Sequence, residues 1–274
     1  MPSRPRPSGP LARSIACASL ALAACGVPPV EWSPEQSVLP ALEGPLVLTV
    51  DGALRPDAMA ALAERAVTPP SPVCAGSLSM AALGGTMIGV WWAPRPDSGV
   101  RLLAARSSDG GRTWGDLAAV DTTDVGVGGC GRAPAAIAAD SGSGYVHVTY
   151  ALQAVEGPGL FFSHSMDGGV TFHAPVPILY GARLGRTSVA ADGDLVVVGF
   201  EDPNSTAPRI GLALSRTMGH IFEHRIIPVS DDHQNATHPL AAAQGKRIAV
   251  GWRRGAPGRP GARATLAVRT GTVR

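Results

Sequence analysis

Charge is scarce in this chain: 16% of its 274 residues are Asp, Glu, Lys or Arg, and the two signs nearly cancel at a formal +2. Beyond the first fifteen residues there is no basic run, so the electrostatic footprint of a nucleic-acid binder is missing and nucleic acid is not an expected partner. Aromatic residues make up only 5%, and there are four cysteines. After one N-terminal stretch no hydrophobic run is long enough to span a bilayer as a helix. What is abundant is turn chemistry, with Gly 34 and Pro 25. Such punctuation disfavours long helices and points to an all-β chain of many short strands. A 45% hydrophobic content excludes a disordered polymer and supplies a core.

The N-terminal stretch reads as an export signal. Arg4, Arg6 and Arg13 precede an apolar run over 14–24 that is too short to cross a membrane but suits the centre of a secretory signal peptide. It ends in Leu22-Ala23-Ala24-Cys25-Gly26, which resembles the lipobox of bacterial lipoproteins. The resemblance implies removal of residues 1–24, lipidation of Cys25 and a membrane-anchored protein of the bacterial cell envelope. The alternative is an ordinary signal peptide cut near Ala24. Residues 25–40, which contain several prolines, read as a tether, and 41–274 as the folded domain. Cys17 falls in the removed segment and Cys25 carries lipid. That leaves Cys74 and Cys130 to form a disulfide in an oxidising compartment.

The body of the chain repeats itself. Ser107-Ser-Asp109-Gly-Gly111-Arg-Thr-Trp114 recurs as Ser165-Met-Asp167-Gly-Gly169-Val-Thr-Phe172, and in altered form as Ser215-Arg-Thr217-Met-Gly219-His-Ile-Phe222. The starts lie 58 and then 50 residues apart (165 minus 107, 215 minus 165), a spacing that suits one four-stranded blade with its loops. These segments resemble the Asp-box of sialidases and of many other propellers. The motif makes physical sense as a tight turn: glycines supply positive φ, the Asp accepts backbone N–H groups, and the closing aromatic packs between sheets. It is structural. The third copy, with Thr217 in place of Asp, predicts a looser turn.

Around each box the same blade is legible. Inner strands rich in small residues fall at 76–83, 133–140, 187–192 and 239–244. Buried second strands follow at 87–92, 145–150, 195–200 and 247–252, and third strands at 100–107, 159–165, 209–215 and 264–270. Outer strands follow the first three boxes only. An unpaired strand at 46–50 is the candidate to complete the fourth blade, and 57–65 reads as a short helix. The expectation is a sialidase-like β-propeller of four to five four-stranded blades, with a fifth accommodated in 40–70.

Strand order puts the loops entering the inner strands on the face opposite the Asp-boxes. That mouth face gathers Arg132, Arg186 and His238 at equivalent positions in consecutive blades, and these are the candidate ligand-binding residues. Two arginines at one mouth suit bidentate recognition of a carboxylate. This is similar to the arginine triad with which sialidases hold sialic acid. The same resemblance implies a tyrosine nucleophile backed by a glutamate, and an aspartate as acid and base. Only Tyr180 with Glu201 suits the first role here, and Asp231 or Asp232 the second. The chain departs from the family in having no F/Y-R-I-P segment near the start of the domain. About 250 residues (274 minus 24) also allow five blades at most, against the six the catalytic family generally uses. Asp231, Asp232, His233 and His238 read either as a solvated polar loop or as a cation site. Neither a metal nor a cofactor is otherwise indicated. The favoured expectation is a non-catalytic, tethered module binding a glycan or an envelope protein. An exo-acting glycosidase of sialidase type and an envelope assembly factor are the alternatives.

Overall fold

The computed structural model describes residues 28–38, 70–181, 183, 185–223, 226–231, 235–255 and 265–274. Cys25, the strand read at 46–50 and the helix read at 57–65 lie outside the described residues.

The chain begins with β1 (Val30–Trp32) and β2 (Gln36–Val38). Blade one follows as β3 (Ser79–Leu83), β4 (Thr86–Pro94), β5 (Val100–Ser107) and β6 (Ala118–Asp121). A single 3-10 turn, Gly129–Gly131, leads into blade two. That blade comprises β7 (Ala136–Ala139), β8 (Val146–Ala154), β9 (Gly157–Ser165) and β10 (Val176–Tyr180). Blade three is β11 (Thr187–Asp192), β12 (Leu195–Glu201), β13 (Ile210–Ser215) and β14 (Ile227–Pro228). Blade four is β15 (Asn235–Gln244), β16 (Arg247–Gly255) and β17 (Thr265–Val273), joined by β1 and β2 from the start of the chain. Every pairing is antiparallel between neighbours, so each blade is a meander. Two-residue turns join the first and second strands of blades one, three and four, each opening on a glycine of positive φ (Gly84 58°, Gly193 57°, Gly245 53°).

Alternation along the second strands builds the core. In β4, Ile88, Val90 and Trp92 point to blade two and pack with Val148, Tyr150 and Leu152. Blade two meets blade three through Phe162, Val196, Val198 and Phe200. Blade three meets blade four through Val197, Leu212, Ile248, Val250 and Trp252. Trp92, Phe162, Phe200 and Trp252 are fully buried. Each such ring withdraws roughly 150–250 Å² from water, about 4–6 kcal/mol as an upper bound. The Trp92 indole also donates to the Ala133 carbonyl at 2.8 Å, and the Tyr150 hydroxyl to Asp121 at 2.7 Å. Both of these aromatic side chains are thus satisfied where they are buried.

The protein is therefore an all-β propeller of four antiparallel sheets, three of four strands and the last of five. One local expectation changes. The segment read as a tether, 25–40, contributes strands: Val30 lies opposite Val273 and Trp32 opposite Gly271, while Val38 lies opposite Leu266. Three-residue strands between prolines carry too few alternations to register as a period-two pattern. Tertiary contacts fix them instead. The Ser33 hydroxyl donates to the Thr270 carbonyl at 2.9 Å, and the Arg269 guanidinium lies 5.1 Å from the Trp32 ring centre.

The third box keeps the same turn with longer bonds than its relatives. In the first two boxes the serine hydroxyl accepts the second glycine's N–H (Ser107 from Gly111 at 2.8 Å, Ser165 from Gly169 at 2.7 Å). The Asp accepts the Thr N–H at 2.9 Å in each. In the third, Ser215 accepts Gly219 N–H at 3.1 Å, and the Thr217 hydroxyl accepts Ile221 N–H at 2.9 Å. The Thr hydroxyl bond to the carboxylate, 2.6 Å in each of the first two boxes, has no counterpart here. Met218 takes the first glycine's positive φ, at 54°.

Candidate functional site

The four inner strands surround a central cavity of about 550 Å³ at the mouth of the ring. Pro134 to Ile137 of blade two, Arg186 to Val189 of blade three and His238 to Ala241 of blade four form most of its wall, with Ser79 and Met80 of blade one opposite. The wall is mostly small and apolar, and its polar groups cluster where blades three and four meet.

Glu201, at the end of β12, organises that cluster. Its carboxylate accepts the His238 N–H at 2.8 Å through one oxygen and the Arg186 N–H at 3.2 Å through the other. It thereby holds the two mouth loops together across the blade boundary. His238 sits at φ 56°, a left-handed conformation rare for a residue with a side chain, at a bulge where the pairing of β15 with β16 shifts between Thr237 and Leu240. The bulge turns the imidazole out, and His238 is exposed with Nδ1 3.1 Å from the Thr237 hydroxyl. Arg186 is exposed too, and among the described residues its guanidinium meets neither a carboxylate nor a carbonyl.

Arg132 is disposed differently. Its Nε and one terminal nitrogen donate to the two oxygens of Asp124 at 2.6 and 2.9 Å, with both side chains largely buried, so the guanidinium is consumed in a bidentate pair within its own loop. Asp124 also holds the proton on Arg132 more tightly than usual, chiefly through these hydrogen bonds. Arg132 does not line the cavity. The signal that was available in the sequence is the carboxylate eight residues earlier, in the loop between the blades.

Tyr180 ends β10, the outer strand of blade two. Its ring stands edge-on to Phe161 at 5.8 Å and is 41% exposed. No hydrogen bond joins it to Glu201, whose oxygens are engaged with backbone N–H groups. Asp231 is exposed just before the described part of blade four; Asp232 and His233 lie outside the described residues. Among the described residues no group of three or more His, Cys, Asp or Glu side chains is placed to hold a metal ion. Elsewhere on this face Asp202 binds Arg209 at 2.7 Å, and Arg254 binds Glu35. Cys74 and Cys130 are joined as a disulfide with Cα atoms 5.1 Å apart, tying the strand entries of blades one and two.

Among the described residues the mouth brings together the guanidinium of Arg186, the imidazole of His238 and the carboxylate of Glu201, which is held by backbone N–H groups. Such a set recognises an anion or a hydroxyl-rich ligand. The nucleophile and base that the family resemblance implies are not assembled by the described residues.

No protein-family model matches the chain, and no curated protein matches it. Among solved structures it is similar to the phage phi92 endosialidase, at 10% identity and TM-score 0.52 over 71% of this chain and 35% of that one. It is also similar to a Trypanosoma rangeli sialidase, at 11% identity and TM-score 0.45 over 65% of this chain and 34% of that one. A third similar structure is a family 117 glycoside hydrolase from the marine bacterium Zobellia galactanivorans, at 14% identity and TM-score 0.40 over 76% and 64%. The chain thus spans about one third to three fifths of the length of these proteins. At such identities the likeness speaks for the fold, a sialidase-like β-propeller.

Proposed function

We propose that the protein is an exported, lipid-anchored propeller that binds a carboxylate-bearing glycan at its mouth without cleaving it. The observation that carries this reading is the pairing of an unengaged Arg186 with a Glu201 fully committed to fixing Arg186 and His238 in place. The first group offers two parallel donors for a carboxylate, the geometry that favours arginine at such sites. The second, holding two backbone N–H groups, is a positioning element and makes no hydrogen bond to Tyr180 among the described residues. Likeness to sialidases and a glycoside hydrolase supports a sugar as the ligand, while fold alone confers no activity.

Anchoring through Cys25 follows the lipobox. Labelled fatty acid should be incorporated by the natural chain and not by Cys25→Ser.

The binding test is a glycan array, followed by calorimetry with sialylated and neutral oligosaccharides, alongside hydrolysis of a fluorogenic sialoside. Selective binding of the acidic sugars without turnover is expected. Loss of the guanidinium in Arg186→Ala should weaken affinity about 10- to 100-fold, the range for a hydrogen bond to a charged group. Turnover abolished by Arg186→Ala would replace this reading with a glycosidase. Equal binding of neutral sugars would remove the carboxylate from it.

A further inference from the structure

The strand that closes blade four also fixes where the chain leaves the fold. β17 is the third strand of that blade, and its end at Val273 corresponds to the end from which the Asp-boxes follow in blades one to three. Val30 of β1 lies opposite Val273. The Val273 N–H donates to the Lys246 carbonyl at 2.8 Å, and the Arg274 N–H to the Pro29 carbonyl at 3.1 Å. The Arg216 guanidinium, in the third box, donates to the Arg274 carbonyl at 2.8 Å. Pro29 and Val30 are thus pinned to the box face, opposite the mouth.

Pro28 is the first described residue and stands three positions after Cys25 (28 minus 25). Three residues reach at most about 11 Å. A lipid on Cys25 therefore keeps Pro28, and with it the box face, close to the membrane surface.

The side chains of that face suit the contact. Boxes two and three expose apolar groups at their tips: Met166 is 48% exposed, Val170 50% and Ile221 67%. The carboxylates of Asp109 and Asp167 are engaged within their own turns. Arg216 is paired with Glu223 and Arg274 with Glu31, while Lys246 and Arg247 are exposed at the turn beside Val273. Apolar tips with basic neighbours fit the headgroup boundary of an anionic bilayer.

We infer that the Asp-box face lies against the membrane that carries the Cys25 lipid, held there by the short tether, with the mouth directed away. The nine residues of β8 carry the chain from one face to the other, about 26 Å at roughly 3.3 Å per residue. Arg186, Glu201 and His238 therefore face the aqueous phase, and a ligand reaches them from there rather than from a short headgroup in the same leaflet. The inference rests on the lipid anchor of the preceding reading and is independent of what the mouth binds.

The test uses the lipidated chain in phosphatidylethanolamine and phosphatidylglycerol vesicles that contain a headgroup quencher. Lipid on Cys25 and the disulfide between Cys74 and Cys130 leave no free thiol in the mature chain, so an introduced cysteine takes a single fluorophore. Val170→Cys and Ile221→Cys report from the box face. Val155→Cys reports from the mouth face, in the turn between β8 and β9, where Val155 is 81% exposed. Quenching of the box-face labels should exceed that of the mouth-face label roughly three-fold or more, given the separation of the two faces. Either box-face label suffices should the other variant misfold. Inserting about twenty Gly and Ser residues before Pro28, a coil of roughly 25 Å, should bring the ratio close to one. Equal quenching on the two faces of the chain with its natural tether, stronger quenching at the mouth, or a ratio unchanged by the insertion overturns the inference. Fluorophore found on Cys25 in the chain with no introduced cysteine shows instead that the anchor itself is missing, and the inference falls with it.

Discussion

His147 is fully buried, and neither of its ring nitrogens meets a hydrogen-bond partner among the described residues; Nε2 of His164 is in the same position. The two sit among His173, His220, Tyr145 and Phe162, at centre distances of 4.6 to 6.5 Å. Burial first, and the neighbouring imidazoles next, push both down from 6.5 to about 4. An unfolded chain protonates these rings near 6.5, so between about pH 6.5 and 4 the folded state binds fewer protons than the unfolded one. Stability is therefore full above 6.5 and falls as the pH drops towards 4. His147→Leu should remove part of that fall, read as urea midpoints at about pH 7.5 and about pH 5. An unchanged difference between the two midpoints would place the acid sensitivity elsewhere. Asp167 acts lower on the scale. Burial raises it, but hydrogen bonds from Ser165 and Thr171 prevail and hold it at about 2, so its contribution is full above pH 3.8 and is lost as the pH falls towards 2. Residue types alone gave no access to the histidine cluster, because it forms from three separate stretches of two blades. The box residues were legible because their partners lie within four positions of one another. Thr217 shows the margin of that legibility: replacing a carboxylate by a hydroxyl looked like a loss, yet a single oxygen reaches the same N–H.

At the scale of strands, the inner, second and third members of every blade fall within a few residues of where composition and alternation put them, since each carries four or more residues. β1 escaped because it has three. Its contribution is nevertheless large: it covers the outer edge of β17, which would otherwise present unpaired N–H and C=O groups to solvent. Removing residues 28–33 should lower the melting temperature and promote association through the bared strand, seen by scanning calorimetry and light scattering. Retention of both melting temperature and monomer would show that β1 is dispensable. The mouth loops were placed on the correct face by strand order, but the direction of each side chain was not readable. Arg132 and Arg186 occupy equivalent sequence positions, and only the local carboxylate Asp124 separates a spent guanidinium from an available one.

For the whole molecule, the disulfide between Cys74 and Cys130 encloses blade one. A separation of 56 residues corresponds to about 4 kcal/mol of lost loop entropy in the unfolded chain. Reduction, or Cys130→Ser, should cost about 2–4 kcal/mol in denaturant unfolding, and a smaller effect would mean that blade one is already held by its neighbours.

The fourth sheet unites Val30 with Val273, and this makes completion a matter of timing. Synthesis proceeds at roughly 5–20 residues per second. The first strand therefore waits on the order of ten to fifty seconds for a mate 243 residues further along (273 minus 30). Blades one to three can form in order as they appear, while β1 must be kept from pairing with anything else. A nascent chain cut short before β17 retains three sheets and an idle strand, a species that quality-control proteases can distinguish from the finished product.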